Sequence, residues 1–278
     1  MITHSVQGVE VPALGFGTFK LTGEDATRAV KTALEVGYRH IDTAEMYDNE
    51  AEVGAGLAAG SVAREDIFLT TKVWPDNLRP DDLRRALDKS LSKLRTDHVD
   101  LYLVHWPHPD IPLAETLAAM KEVQAAGTVR RFGISNFPVA LMREAVETIG
   151  APVLCNQVEY HPFLNQKPVL DYARAHDILV TAYCPLARGT VQDNALLKRI
   201  GERHGKSASQ VTLRWLVQQD GVAAIPKSGT PANIRSNFEI FDFELSPDEM
   251  TEIGNLRGPG RLVDPAISPD WDPAPALA

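Results

Sequence analysis

Apolar residues recur along this chain with two alternating rhythms. Short apolar runs fall at 13–18, 40–44, 67–73, 99–105, 130–135, 153–159, 178–184 and 222–226, separated by longer stretches where apolar positions return every three or four residues. The short runs read as strands and the longer stretches as helices. Ala29, Ala33 and Val36 share one face of the segment from Asp25 to Val36, and Leu83, Leu87, Leu91 and Leu94 share one face of the segment from Asp81 to Leu94. Strand and helix alternating eight times predict an α/β fold, the (β/α)8 TIM barrel. Ahead of the first unit, Val6-Gln7-Gly8-Val9-Glu10-Val11 alternates about a glycine, which predicts an N-terminal β-hairpin able to plug the bottom of the barrel. Two helical patterns, Ala195 to His204 and Ser207 to Gln218, occupy the space between Pro185 and Gly221, so one of them is an insertion. No Gly- or Ser-rich linker divides the chain, and residues 1–278 read as a single domain. Its last stretch, 259–278, carries five prolines and is expected to run as an extended C-terminal tail over the barrel.

Four polar residues stand late in the apolar runs or just past them. Asp42 lies in the run at 40–44 and Tyr47 follows it, Lys72 falls near the end of the run at 67–73, and His105 ends the run at 99–105. In a parallel barrel those positions lie on the rim where βα loops build active sites. Singly, each has a plainer role: a loop tyrosine packs, a lysine after a strand is solvated, and an Asp–Lys pair is often structural. Their joint placement on three successive strand ends favours an acid catalyst with the means to tune it.

Composition narrows the classes further. The formal charge is −9, from 28 basic and 37 acidic residues, and no basic stripe occurs, so nucleic acid is not an expected partner. No segment approaches the length of a membrane span, and Met1-Ile2-Thr3-His4-Ser5 lacks the regions of a signal peptide, so no membrane partner and a cytoplasmic location are expected. Cys155 and Cys184 sit within apolar runs as reduced thiols without metal-site spacing. His40 and His161 invite a metal reading together with Glu159, and a metal-dependent barrel isomerase or hydrolase would use Asp42, Glu159, His105 and His161. No second clustered pair of ligands supports it, and no metal is expected. Gly54-Ala55-Gly56-Leu57-Ala58-Ala59 fits a dinucleotide fingerprint, but it lies inside a helical run rather than between a strand and a helix start, so helix packing is its expected role.

Longer segments carry a family resemblance. Asp42-Thr43-Ala44-Glu45-Met46-Tyr47-Asp48-Asn49-Glu50, Thr71-Lys72-Val73-Trp74, Asp100-Leu101-Tyr102-Leu103-Val104-His105-Trp106-Pro107, Gly133-Ile134-Ser135-Asn136-Phe137 and Ile225-Pro226-Lys227-Ser228 resemble the signatures of the aldo-keto reductases, in family order. The match runs from Leu14 to Phe243, and within the family the chain is most similar to short bacterial enzymes. The resemblance implies NADPH-dependent reduction of aldehydes and ketones, reversible to alcohol oxidation, by hydride transfer with Tyr47 as general acid. Lys72 would lower the tyrosine pKa, Asp42 would hold Lys72, and a neutral His105 would orient the carbonyl. Candidate substrates are 2,5-diketo-D-gluconate, methylglyoxal and β-keto esters, with oxidation of an alcohol in a larger natural product as an alternative. A non-catalytic barrel that senses the cofactor is the alternative from another class.

By the same resemblance, Ser135, Asn136 and Gln157 would bind the nicotinamide carboxamide and Tyr183 would stack on its ring. Gly17, Thr18, Phe19, Asp42, Pro185 and Leu186 would lie along the dinucleotide. Lys227, Ser228, Asn233 and Asn237 would meet its adenosine end, with Lys227 facing a 2′-phosphate. Asn233 stands where many relatives carry an arginine, and Arg235 is no substitute because two residues turn a helix by about 200°; NADH is therefore an alternative cofactor. Phe19, Tyr47, Trp74, His105, Trp106 and Trp271 are expected to line the substrate pocket. The expected partner is a small carbonyl compound, and the expected state is a monomer.

Overall fold

The computed structural model describes residues 2–273. Its first element is the hairpin of β1 (Thr3–Val6) and β2 (Val9–Pro12), joined through Gln7 and Gly8, both at positive φ. That pair of left-handed residues matches the twist of a two-residue hairpin turn. Val6 and Val11 pack into a cluster with Phe68, Leu101, Leu103, Leu154, Cys155, Leu179 and Ala223, and the Gln7 amide donates to the carbonyls of Val153 and Asp177. The hairpin thus closes the barrel floor, as its alternation predicts.

Eight strands follow, each parallel to its neighbour: β3 (Phe16–Gly17), β4 (His40–Asp42), β5 (Phe68–Val73), β6 (Val99–Val104), β7 (Val129–Ser135), β8 (Cys155–Glu159), β9 (Leu179–Tyr183) and β10 (Val222–Ala224). The seam between first and last closes through a Leu14–Ala224 bridge, with Gly15 N–H donating to Ala224 O at 2.8 Å and Ala224 N–H to Ala13 O at 2.8 Å. At this seam a Cβ on Gly17 would lie 2.8 Å from the Ile225 carbonyl oxygen, so only glycine admits the approach. Alternate strand residues such as Leu69, Val73, Tyr102, Val104, Phe132, Ile134 and Val180 face the helices in the main apolar layer. The intervening residues face the barrel axis. Along it the low positions are mostly apolar, His40 below Asp42 being an exception, and the high positions include Asp42, Lys72 and Gln157.

The helices α1 (Gly23–Val36), α2 (Glu50–Ala59), α3 (Pro80–Leu94), α4 (Leu113–Ala125), α5 (Val139–Arg143), α6 (Lys167–Ala175), α7 (Ala195–His204), α8 (Ala208–Val217), α9 (Pro231–Phe238) and α10 (Pro247–Gly254) surround this sheet. The glycine-rich fingerprint falls inside α2, where a Cβ on Gly54 would meet the Lys93 carbonyl at 2.5 Å and one on Gly56 would meet Val30 at 2.7 Å. Its glycines serve close helix packing. Helix α8 is buried along its whole length against β10, and α7 lies outside it, which identifies α7 as the inserted layer.

After α10 none of the described residues forms regular structure. The chain returns across the top of the barrel, where Asp272 accepts from Val139 N–H at the start of α5. Residues 274–278 of the expected tail, Pro275 among them, lie outside the described residues.

Candidate active site

At the top of the barrel the chain brings Asp42, Tyr47, Lys72 and His105 together. Lys72 Nζ donates to Asp42 Oδ1 at 2.6 Å, to the Thr43 carbonyl at 2.7 Å and to Tyr47 Oη at 3.2 Å. Local structure explains how a tyrosine five residues past a strand end reaches this lysine. Glu45–Tyr47 forms a single 3-10 turn that ends at Asp48 in the left-handed region. Asn49 then pins the loop by donating to the carbonyls of Thr18 and Leu21 at 2.8 Å each. From the same turn Glu45 accepts from Trp74 N–H at 3.0 Å and Asn77 Nδ2 at 2.6 Å, which ties the Tyr47 loop to the Trp74 loop.

The electrostatics of the group follow from burial. Desolvation alone would lower the Lys72 pKa, but Asp42 and Tyr47 outweigh it and raise it, so the ammonium stays charged. Desolvation, with the Lys72 cation adding to it, holds His105 well below the usual imidazole range. The ring is therefore neutral near pH 7, as expected, and its Nδ1 is buried without a hydrogen-bond partner. Tyr47 departs from expectation. Burial raises its pKa, and although Lys72 pulls in the expected direction, that pull does not cancel the burial.

Aromatic rings frame the reactive groups. Tyr47 and Trp74 stand edge-on to His105 at 5.7 and 5.3 Å between centroids, and Phe19 lies 5.0 Å from Tyr47. These rings and Trp106 line a cavity of about 1200 Å³. The expected Trp271 sits one layer back: it packs edge-on against Trp106 at 6.1 Å, lies under the Arg261 guanidinium at 3.5 Å and donates to Asp264 at 2.9 Å. The tail residues that line the cavity are Val263 and Pro265.

From the tetrad the cavity runs past Gly17, Thr18, Asn136, Gln157, Tyr183, Pro185 and Leu186 to Lys227, Ser228, Asn233 and Asn237. Asn136 is left-handed at φ 64°, which turns its amide back to donate to the His105 carbonyl at 3.0 Å and to Ser135 Oγ at 3.1 Å. Tyr183 donates its hydroxyl to Asn136 Oδ1 at 2.7 Å, and Ser135 donates to the Gln157 carbonyl at 2.8 Å. Gln157 Nε2 donates to Asp42 Oδ2 at 2.7 Å. The residues expected at a carboxamide are thus wired to the residues expected at a proton donor.

At the far end Lys206 is committed to Asp242 at 2.7 Å, and Lys198 lies 3.9 Å from Asp193. Lys227 is exposed and enters no ion pair among the described residues. Asn233 and Ser236 line this end and Arg235 does not. Sequence reasoning missed Arg188, Val263, Pro265 and the start of α8 as cavity walls. A signal for α8 existed, because Ser207 and Gln210 form a capping box readable as S-x-x-Q. No local signal tells which side of the helix start faces the cavity.

The histidines that invited a metal reading are satisfied otherwise. His40 meets the Pro12 carbonyl and Thr70 Oγ1 at 3.3 Å each, and His161 meets Glu159 at 3.0 Å and Phe163 N–H at 3.3 Å. Among the described residues no three potential ligands gather.

Comparison with known proteins agrees with this geometry. Residues 13–257 match the model of the aldo/keto reductase family. The chain is 40% identical over 266 residues to methylglyoxal reductase DkgB of Escherichia coli O157:H7, covering 94% of this chain and 99% of that one. It is 43% identical over 256 residues to glyoxal reductase of Bacillus subtilis strain 168, covering 92% of each. Among solved structures, a provisional 2,5-diketo-D-gluconic acid reductase B superposes with a TM-score of 0.95 at 49% identity, covering 98% of both chains.

Proposed function

The chain belongs to the aldo/keto reductase family, and on that premise we propose that it reduces small dicarbonyl compounds with NADPH, Tyr47 serving as the proton donor. Methylglyoxal, 2,5-diketo-D-gluconate and β-keto esters are the candidate substrates, the first two in keeping with the names of its relatives. The observation that carries the reading is the contact of Lys72 with both Asp42 and Tyr47 beside a neutral His105.

The cavity tests whether the residues fit a dinucleotide. Its volume of about 1200 Å³ exceeds the roughly 300–1,000 Å³ of ordinary ligand pockets, which leaves room for a cofactor and a small substrate together. One end carries amides and a tyrosine beside the tetrad, and the other carries the exposed Lys227. Ser135, Asn136, Gln157 and Tyr183 would hold the nicotinamide, and Lys227, Ser228, Asn233 and Asn237 the adenosine phosphate. When bound, the cofactor supplies the hydride.

The protein's own residues handle the carbonyl oxygen. With its pKa raised, Tyr47 keeps its proton at neutral pH and has it to give. Charge developing on that oxygen is stabilised by a donor already aimed at it. The phenolate left behind faces the Lys72 ammonium at 3.2 Å, which offsets its charge and makes the transfer feasible despite burial. A neutral His105 donates a hydrogen bond to the same oxygen and sets its orientation without competing for the proton. Trp74 and Trp106 exclude water from the apolar side.

A panel of dicarbonyls, keto esters and sugar keto acids, followed by NADPH and NADH absorbance in both directions, tests the reading. Reduction of dicarbonyls faster than any alcohol is oxidised is expected; an absence of turnover with every carbonyl would overturn it. Lys227→Ala should raise the KM for NADPH several-fold more than that for NADH, because the cation acts only when a 2′-phosphate is present. Equal effects on both cofactors would remove Lys227 from that role.

A further inference from the structure

Glu159 takes no part in the machinery described so far. It ends β8, two residues beyond Gln157 on the axis-facing side, and it is fully buried. A carboxylate out of water is costly unless donors surround it. Here Oε1 accepts from Leu262 N–H at 2.8 Å and from His161 Nε2 at 3.0 Å, and Oε2 accepts from Val263 N–H at 2.9 Å. Two of the three donors are backbone groups of the tail. The same stretch is gripped from its other side, where Arg188 donates to the Leu262 carbonyl at 2.8 Å. Arg188, Val263 and Pro265 all line the cavity.

We propose that Glu159 is a positioning residue for substrate selection: its carboxylate fixes where the tail crosses the cavity, and so places the Val263 and Pro265 wall. The proposal rests on the reading of that cavity as a carbonyl pocket. On this proposal a small dicarbonyl held at Tyr47 and His105 falls short of this wall. A larger one leans on it and gains from apolar contact only if the wall is held at a fixed distance. The contacts at Glu159 therefore act on substrate size and leave the proton transfer alone.

The test uses two variants and two substrates. Glu159→Gln keeps the shape of the side chain but turns one oxygen into a donor that opposes a tail N–H, so one tail bond is lost. Leu262→Pro removes a tail N–H without touching Glu159, and it serves if the first variant fails to fold. For both, KM for phenylglyoxal should rise three- to tenfold, while kcat and KM for methylglyoxal stay within twofold of wild type. Deuterium exchange of the amides of Val263 and Asp264 should quicken in both variants. Because the two changes break one contact, the double variant should show less than the product of the single effects. Freed tail amides with an unchanged substrate ranking would overturn the proposal, and so would a parallel fall for both substrates. Unchanged exchange in Glu159→Gln would show that the carboxylate does not hold the tail. Failure of the wild type to reduce either dicarbonyl would strike the functional reading instead, with exchange still judging the clasp.

Discussion

Asp42 and Asp100 are both buried carboxylates of the barrel held by cations, and they serve opposite ends of it. Asp100 opens β6 near the floor, where Oδ2 accepts from Arg64 at 2.8 Å and Leu69 N–H at 2.9 Å and Oδ1 lies 3.2 Å from Arg130. The two arginine side chains are 22% and 52% exposed. Asp42 ends β4 at the mouth, with one oxygen on Lys72 and the other on Gln157, and the lysine side chain has no exposure at all. The difference lies in the third group. Arg64 spends its remaining donors on the carbonyls of Ile67 and His98 and on Thr96 Oγ1, so that pair can only fasten strands. The lysine at Asp42 extends a donor to a phenol. An ion pair becomes part of a reaction when its cation is left one unspent contact with a group that can change charge.

The largest effect should come from cutting that contact at its far end. Tyr47→Phe is expected to lower kcat by about 10²–10⁴-fold, the usual worth of a general acid, with NADPH affinity by fluorescence titration unchanged. Wild-type turnover in this variant would end the proposed mechanism. Lys72→Met should lose most activity as well, and it should also destabilise the fold by ~3–5 kcal/mol, because it strands a buried carboxylate. Equilibrium denaturation measures this.

Leu101→Ala probes the other end of the same axis. It should cost about 2–5 kcal/mol of stability through the cavity it leaves, with kcat per folded molecule unchanged. A large fall in kcat would mean that the floor and the mouth are not separable. Arg130→Met should cost under about 1 kcal/mol, since that arginine is half exposed and Arg64 still holds Asp100. A cost equal to that of Lys72→Met would abolish the contrast between the two aspartates.

The smallest effect is one of pH. The folded pKa of Lys72 is raised, so its contribution is complete below the free-lysine value of about 10.4 and is lost only as pH rises through the folded value. The stability difference between wild type and Lys72→Met should therefore stay flat from pH 6 to 9 and narrow above about pH 10. Narrowing at neutral pH would mean that the lysine is not held charged by Asp42.

Much of this was readable in advance, for an identifiable reason. Period-two and helical patterns are local, so the eight strands, the hairpin plug and α7 and α8 follow from them. Asp42, Lys72 and His105 lie at strand ends, and a parallel barrel brings strand ends together whatever the details. Contacts across the barrel and contacts set by loops were not readable. Gln157 reaches Asp42 across 115 residues, Glu45 reaches Trp74 from a turn that only the fold aligns, and Trp271 lies behind Trp106 because Arg261 and Asp264 hold it there. The direction of the Tyr47 shift also escaped, because a sequence shows which cation is near and not how much water is lost.

The clasp at Glu159 sets an order for making the protein. Its tail donors are synthesised 103 residues after the carboxylate, a delay of roughly 5–20 s at ordinary translation speeds of ~5–20 residues per second. Throughout that interval β8 carries a charge bound for the interior with only His161 nearby to meet it. The nascent chain can gather its strands in sequence, but the mouth of the barrel cannot be finished before Leu262 and Val263 emerge.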